Sequence, residues 1–246
     1  MSINKLRKGY NKMLSPLAVK IISSLPEGMV LFAAGKIVKG YLKKYANIVI
    51  KDFDKVEKIE GPKIFICNHL SNSDGLVLNK ILKEKYDPYF IAGVKLSDDP
   101  ITSLGTKLVK NIPIKPNSPD KDSISRIVKT LKGGENILIF PEGTRSRTGA
   151  MIEGKKGILL FARLTKAKII PIGMSGTDIL LPINDSGDMG KETWNKSEVV
   201  VKFGEPVEFP KKEKDEDKHA YDDRCMYALM KSIANLLPEK YRGVYK

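Results

Sequence analysis

The sequence predicts an α/β fold in which a largely parallel or mixed β-sheet is flanked by helices. From residue 48 onward, short apolar runs typical of strands alternate with longer segments of helical periodicity. Strands and helices that alternate in this way favour a sheet covered by helices. The first 46 residues have a different pattern, which predicts an N-terminal two-helix amphipathic hairpin. We therefore expect a hairpin at 1–46 and a second domain at 47–246.

Two amphipathic segments make up the predicted hairpin. In the first, apolar residues between 14 and 25 recur at intervals of three and four. After Pro26, a second apolar stripe runs from Val30 to Tyr45. Four lysines of the second segment lie outside its stripe: Lys36, Lys39, Lys43 and Lys44. Two interpretations remain open, because the stripes can pack on the protein core or lie in a membrane interface that attracts the lysines.

Seven strands and four helices are predicted in the second domain. The strands are expected at 48–51, 63–67, 89–92, 111–115, 136–140, 168–172 and 198–203. The helices are expected near 74–85, 120–132, 155–166 and 219–236. Sheets of this kind place their sites in the loops beyond the carboxyl ends of strands. Polar motifs follow the second and the fifth predicted strand, so these two loops are the candidate site.

Composition limits the class of function. The chain has 246 residues, of which 41% are apolar, and this is enough for a buried core. Its 43 Lys and Arg residues outnumber 29 Asp and Glu, and the net charge of +14 attracts nucleic acid, anionic lipid headgroups or phosphorylated small molecules. Aromatic residues make up only 7% and do not interleave with basic runs, which argues against a platform for single-stranded nucleic acid.

Cysteine usage and hydropathy argue against several further features. Cys67 and Cys225 are far apart and no second cluster of ligands accompanies them, so we expect no metal site. The sequence has no run of 18 apolar residues, so a membrane-spanning helix is not expected. It also has no compact apolar stretch followed by a cleavage site, so a signal peptide is not expected. A reducing, cytoplasmic setting is the expected one.

A candidate general base follows predicted strand 63–67. Residues 68–74 read Asn-His-Leu-Ser-Asn-Ser-Asp, which places His69 and Asp74 five positions apart across small polar residues that can turn the chain. A histidine acts as a base when one ring nitrogen is free and the other is held by an orienting group. Asp74 can be that group. The alternatives are a loop histidine without a role and an acid that only favours the first turn of the next helix.

Other nucleophiles in this segment fit less well. Ser71 and Ser73 lie near His69, but the chain has no Gly-x-Ser-x-Gly elbow. Cys67 ends an apolar run, which favours an inert buried thiol. Ser71 or Asn72 can instead cap the helix that begins near Ser73.

A candidate anion site follows the fifth predicted strand. Residues 140–147 read Phe-Pro-Glu-Gly-Thr-Arg-Ser-Arg. Arg145 offers a planar fork that matches phosphate oxygens, Gly143 permits close backbone approach, and Thr144 offers a hydroxyl. Glu142 can orient Arg145 or bond a substrate hydroxyl. A solvated turn is the alternative. Together, a base and an anion-binding loop predict chemistry on a phosphorylated substrate.

The two motifs together resemble those of the lysophospholipid and glycerolphosphate acyltransferase family, and most nearly its bacterial 1-acyl-sn-glycerol-3-phosphate acyltransferases. The pair is Asn-His-x-Ser-x-x-Asp followed by Phe-Pro-Glu-Gly-Thr-Arg-Ser, and the resemblance spans residues 45–205. Two further blocks of the family are visible, Ile-Pro-Ile-Lys at 112–115 and Ile-Pro-Ile at 170–172. Lys115 stands where the second block usually ends in Arg, and it keeps the charge but not the bidentate geometry.

The resemblance implies an enzyme that moves a fatty acyl chain from acyl-CoA or acyl-carrier protein to the free hydroxyl of 1-acyl-glycerol 3-phosphate, giving phosphatidic acid. By the match, His69 is the base that activates the hydroxyl and Asp74 orients it. The match assigns acceptor binding to five residues: Glu142, Gly143, Thr144, Arg145 and Lys115. Arg145 is expected on the phosphate. No metal and no cofactor is expected, since the acyl donor is a co-substrate.

The resemblance also favours a membrane role for residues 1–46, because some family members have an N-terminal two-helix element that lies on the membrane. The expected partners are an anionic membrane surface, a lysophospholipid acceptor and the acyl donor, with no nucleic acid. The expected location is the cytoplasmic face of the cell membrane, as a peripheral or monotopic protein. Two alternatives stay open: another acceptor (glycerol 3-phosphate, another lysophospholipid or a glycolipid), or a non-catalytic lipid-binding membrane protein.

Overall fold

One seven-stranded sheet organises the protein, whose structure is a computed structural model. It describes residues 26–93, 107–115, 120–184 and 192–246. The strands are β1 (Ala46–Lys51), β2 (Lys63–Cys67), β3 (Tyr89–Gly93), β4 (Asn111–Ile114), β5 (Ile137–Ile139), β6 (Lys168–Ser175) and β7 (Ser197–Phe203). All seven predicted strands are confirmed, and their order across the sheet is β1-β7-β6-β2-β5-β3-β4.

The sheet is mixed. Five neighbouring strands, from β6 through β2, β5 and β3 to β4, are parallel. β7 runs antiparallel to β6, and β1 is parallel to β7, so these two strands oppose the other five. The predicted sheet, largely parallel or mixed and flanked by helices, is confirmed.

Helices cover both faces of the sheet. They are α1 (Glu27–Tyr45), α2 (Phe53–Glu57), α3 (Ser73–Leu82), α4 (Lys121–Lys132), α5 (Gly157–Thr165), α6 (Thr177–Leu180) and α7 (Lys218–Ala234), followed by 3₁₀ turns at Glu239–Tyr241 and Gly243–Tyr245. The four helices predicted in the second domain are confirmed as α3, α4, α5 and α7. Sequence reasoning missed α2 and α6, because elements of one turn are too short for a helical period to show.

The core has two layers, one on each face of the central strand β2. Ile64 and Ile66 pack in the layer formed with α4, α5 and α7. Phe65 and Cys67 pack in the opposite layer with α1, α2 and α3. Every residue of β2 is buried, which explains why its sequence is a continuous apolar run rather than an alternation. Because β2 is the fourth of the seven strands, its carboxyl end lies near the middle of the sheet edge.

Helix α1 confirms the second helix of the predicted hairpin, whereas the first lies outside the described residues. Ala34 and Leu42 are buried against the core. Met29, Phe32 and Ile37 of the same helix are 55%, 66% and 59% exposed. Since α1 leads directly into β1, the domain boundary between 46 and 47 stays a prediction. No helix of the described residues is both long and apolar enough to cross a membrane.

Candidate active site

The two predicted motifs leave the sheet side by side, because β2 and β5 are parallel neighbours with Ile66 opposite Ile139. Asn68 fixes the point where the chain leaves β2. Its side-chain amide donates to the carbonyl of Met174 on β6 and accepts from the Met174 amide, both at 2.8 Å. This reciprocal pair extends the strand pairing by one side chain and holds the residue before His69 in place.

His69 and Asp74 meet as predicted. The His69 Nδ1 lies 2.8 Å from Oδ2 of Asp74, which is fully buried in the first turn of α3. The same oxygen accepts the backbone N–H groups of Leu70 at 2.7 Å and Ser71 at 2.9 Å. One carboxylate oxygen therefore shapes the loop and orients the ring that the loop carries. Because this oxygen accepts, Nδ1 carries the proton when the imidazole is neutral.

The His69 ring is held in its plane as well as at Nδ1. It stacks on Phe140 with the ring centroids 4.0 Å apart and the planes 14° from parallel. The side chain is 20% exposed. Among the described residues, no group bonds to Nε2. The imidazole thus presents one nitrogen, with its lone pair, to a molecule that approaches the sheet edge.

The serines and the cysteine near His69 have structural contacts. Ser71 is buried, donates to the carbonyl of Leu181 at 2.7 Å, and accepts the Ser73 amide at 3.1 Å, so Ser71 rather than Asn72 bonds to the start of α3. Burial, reinforced by negative charges nearby, raises the pKa of the Cys67 thiol well above its ordinary value. These contacts favour His69 over its neighbours as the reactive group.

Glu142 joins the two loops. Its side chain is buried, and Oε1 accepts the His69 amide at 2.8 Å while Oε2 accepts the Ile152 amide at 3.0 Å. Ser146 adds a second link by donating its amide to the His69 carbonyl at 2.8 Å. Burial outweighs the two backbone donors and raises the pKa of Glu142 to about 7. Glu142 therefore holds the backbone of His69, and its contact with an acceptor stays a prediction.

The carboxylate that contacts Arg145 is Glu192, not Glu142. Arg145 Nη1 lies 3.0 Å from Glu192 Oε1, and the two side chains are 16% and 1% exposed. The other oxygen of Glu192, Oε2, accepts a hydrogen bond from the side-chain Nδ2 of Asn72 at 2.7 Å. Sequence reasoning missed Glu192, because it lies 47 positions after Arg145 and belongs to none of the motifs. No local signal in the sequence marks it.

The remaining predicted acceptor residues occupy the surface of the same edge. Gly143 has a φ of +69°, a left-handed conformation that favours glycine, and its nearest neighbour is the flexible end of the Lys155 side chain. Thr144 is exposed beside it. Lys115 is exposed just after β4, three strands away from β2, which places its backbone roughly 14 Å to the side of that strand. Its contact with an acceptor stays a prediction.

Metal ligation has no support within the described part of the chain, where no group of three or more His, Cys, Asp or Glu residues could hold a metal ion.

Comparison with known proteins places these residues in a family context. Residues 47–175, which contain every predicted site residue, match the Acyltransferase family. A chloroplastic 1-acyl-sn-glycerol-3-phosphate acyltransferase (LPAT1) of Arabidopsis thaliana is 30% identical over 156 residues, covering 59% of this chain and 43% of that protein. A 1-acyl-sn-glycerol-3-phosphate acyltransferase of Bacillus subtilis is 26% identical over 144 residues, covering 58% and 66%. The match thus spans less than half the length of the plant relative.

A solved structure has the same fold. The crystal structure of the 1-acyl-sn-glycerophosphate acyltransferase PlsC from Thermotoga maritima superimposes with a TM-score of 0.56 and 22% identity, covering 91% of this chain and 84% of that one. At this identity the likeness shows the fold alone.

The raised pKa of Glu142 predicts a pH-dependent difference in stability between the wild type and Glu142→Gln. The folded state keeps a proton that the unfolded state releases above the ordinary value of 4.5. The free energy of unfolding of the wild type should therefore fall relative to that of the variant as pH rises from about 4.5 to about 7.5, by at most about 3 kcal/mol. Urea titrations of both proteins across this range measure the difference.

The exposed Glu198 provides a matched control, since Glu198→Gln should follow the wild type at every pH. A difference between wild type and Glu142→Gln that stays constant across the range would contradict a buried carboxyl that is protonated near neutrality.

Proposed function

The chain belongs to the Acyltransferase family, to which residues 47–175 match, and we propose that it transfers a fatty acyl chain from a thioester donor, acyl-CoA or acyl-carrier protein, to the free hydroxyl of 1-acyl-glycerol 3-phosphate. The observation that carries the proposal is His69, whose Nδ1 is held 2.8 Å from a buried carboxylate beside a loop that bears Arg145. The product is phosphatidic acid, and the other product is the free thiol.

In the proposed reaction, His69 Nε2 removes the proton of the acceptor hydroxyl as the oxygen attacks the thioester carbonyl. Collapse of the tetrahedral adduct breaks the carbon–sulfur bond, and the imidazolium gives its proton to the departing sulfur. The negative charge of Asp74 stabilises the imidazolium while it exists. One ester forms and one thioester breaks, so the reaction needs no covalent enzyme intermediate and no redox step.

Charge supports an acceptor that carries a phosphate. Arg145 is partly exposed, and Glu192 uses only one of its nitrogens. The remaining N–H groups can meet phosphate oxygens in a planar, directed pattern. The Arabidopsis and Bacillus relatives are both named for 1-acyl-sn-glycerol 3-phosphate, which has this phosphate next to a free hydroxyl.

A face of α1 supports docking on a membrane. Met29, Phe32 and Ile37 are exposed to solvent, and the ammonium of Lys36 lies 4.8 Å from the centre of the Phe32 ring. Apolar side chains among lysines suit the boundary between acyl chains and anionic headgroups. There the attraction between each basic residue and the anionic surface contributes about 1 kcal/mol to binding. The proposal therefore includes peripheral or monotopic attachment to the cytoplasmic face of the cell membrane.

Replacing the proposed base tests the activity. His69→Ala should lower the rate of thiol release from acyl-CoA in the presence of lysophosphatidic acid by at least about 100-fold, because general base catalysis contributes this much or more. Binding to vesicles should be unchanged, since the contacts of His69 are with Asp74, Phe140 and Glu142 rather than with α1. His219→Ala is the matched control, because His219 is the other histidine and is exposed at the start of α7.

Wild-type rates for His69→Ala would exclude His69 as the base. The same assay, repeated with acyl-carrier protein as donor and with glycerol 3-phosphate or monoacylglycerol as acceptor, ranks the substrates. No thiol release with any pair would favour the non-catalytic alternative.

Membrane attachment through α1 is tested by the triple variant Met29→Ser, Phe32→Ser, Ile37→Ser. Its binding to phosphatidylglycerol-containing vesicles should weaken by at least about 10-fold, because each side chain loses apolar burial in the interface. Co-sedimentation measures binding, and thiol release from a detergent-solubilised substrate should persist. Val244→Ser, which changes an exposed apolar residue elsewhere, should leave binding intact. Unchanged sedimentation of the triple variant would show that α1 does not mediate attachment.

A further inference from the structure

Glu192 connects the two halves of the site although it belongs to neither motif. Its Oε1 lies 3.0 Å from Arg145 Nη1, and its Oε2 accepts from Asn72 Nδ2 at 2.7 Å. The side chain is almost fully buried. Both oxygens are therefore engaged, one on the loop after β5 and the other at the start of α3.

We propose that Glu192 is a positioning residue for the acceptor, which holds the Arg145 guanidinium at a fixed place relative to His69 and leaves its other N–H groups for the acceptor phosphate. The inference rests on the proposed function. Arginine is a long side chain with many rotamers, and fixing it before the acceptor arrives removes an entropic cost from binding. Glu192 would thereby set the affinity for anionic acceptors without touching them.

The geometry ties Arg145 to the base from two sides. Asn72 follows His69 by three residues, and Glu192 connects its amide to the guanidinium. Ser146, next to Arg145, donates its amide to the His69 carbonyl. The backbone bond fixes the start of the arginine side chain and Glu192 fixes its end, so the distance from phosphate to base is set by the protein.

Glu192 itself is held by the segment that follows it. Trp194 packs against Tyr41 and Tyr45 of α1, with ring centroids 5.5 and 6.4 Å away. The Asn195 amide donates to the carbonyl of Leu180 at 2.9 Å. Moving this buried carboxylate would cost free energy, because the Arg145 and Asn72 donors would then lack a hydrogen-bond partner. The backbone of the segment is also anchored. These contacts favour a fixed support over a carboxylate that an arriving phosphate displaces.

Electrostatics and positioning predict opposite effects when the charge is removed. Glu192→Gln deletes a negative charge beside the cationic fork, and by Coulomb attraction alone it should strengthen the binding of phosphate. A glutamine keeps one carbonyl acceptor but has no charge, so its hydrogen bond to Arg145 loses the strength of a bond between charged groups and holds the guanidinium less firmly. If Glu192 acts by positioning, the variant should bind anionic acceptors less tightly.

The test measures steady-state thiol release and direct binding with the full chain. For Glu192→Gln we expect the KM for lysophosphatidic acid to rise at least about 10-fold, the loss expected for a hydrogen bond between charged groups. We expect kcat and the KM for acyl-CoA to change less than about 3-fold. The dissociation constant for glycerol 3-phosphate, measured by calorimetry, should rise in parallel with the KM. Adding Glu192→Gln to Arg145→Ala should have no further effect, because the glutamate acts through the arginine.

Glu198→Gln is the control, since it removes an exposed glutamate without touching the site. Glu192→Asp is a second variant in case the glutamine variant does not fold, and its shorter side chain should also raise the KM.

An unchanged or lower KM and dissociation constant would overturn the proposal, as would equal losses in kcat and both KM values. If the wild type releases no thiol, the proposed function fails. The comparison of glycerol 3-phosphate binding by the wild type and Glu192→Gln still tests the positioning role of Glu192. A wild type that binds no glycerol 3-phosphate would overturn the inference.

Discussion

One oxygen of Asp74 accepts three N–H groups, from the His69 ring, the Leu70 amide and the Ser71 amide, at 2.7 to 2.9 Å. A fully buried carboxylate is costly, and these donors together with the amino end of α3 offset that cost. Because the loop and the ring are held by the same atom, the conformation of the loop and the tautomer of the base are not independent. The contacts of Glu142 and Ser146 with the His69 backbone depend on the conformation of this loop.

The sheet then determines what the loop meets. β2 and β5 are neighbours, so the loop that bears His69 lies against the loop that bears Glu142 and Arg145. Glu142 and the Ser146 amide bond the backbone of His69 from that side. Glu192 closes the arrangement by joining Arg145 to the start of α3. The buried groups of the site hold the backbone and orient the side chains of His69 and Arg145.

Features with a local signal in the sequence could be predicted, and features set by distant contacts could not. The strands follow from apolar runs, and the meeting of His69 and Asp74 follows from a five-residue spacing and a turn. The reversed direction of β7 has no local signal, since a strand's composition does not encode its orientation. Glu192 was missed because its partners lie far away along the chain. Glu142 belongs to a motif visible in the sequence, but its contact with the His69 backbone depends on the pairing of β2 with β5.

The central claim is that Asp74 holds the proton on Nδ1 and leaves Nε2 of His69 as the base. Long-range proton–nitrogen NMR of the ¹⁵N-labelled protein reads the tautomer directly, and with only two histidines His219→Gln assigns the signals. At a pH where the imidazole is neutral, we predict a protonated Nδ1 and an unprotonated Nε2 for His69. A proton on Nε2, with Nδ1 bare, would contradict this account, because the nitrogen proposed as the base could not then accept a proton from the acceptor hydroxyl.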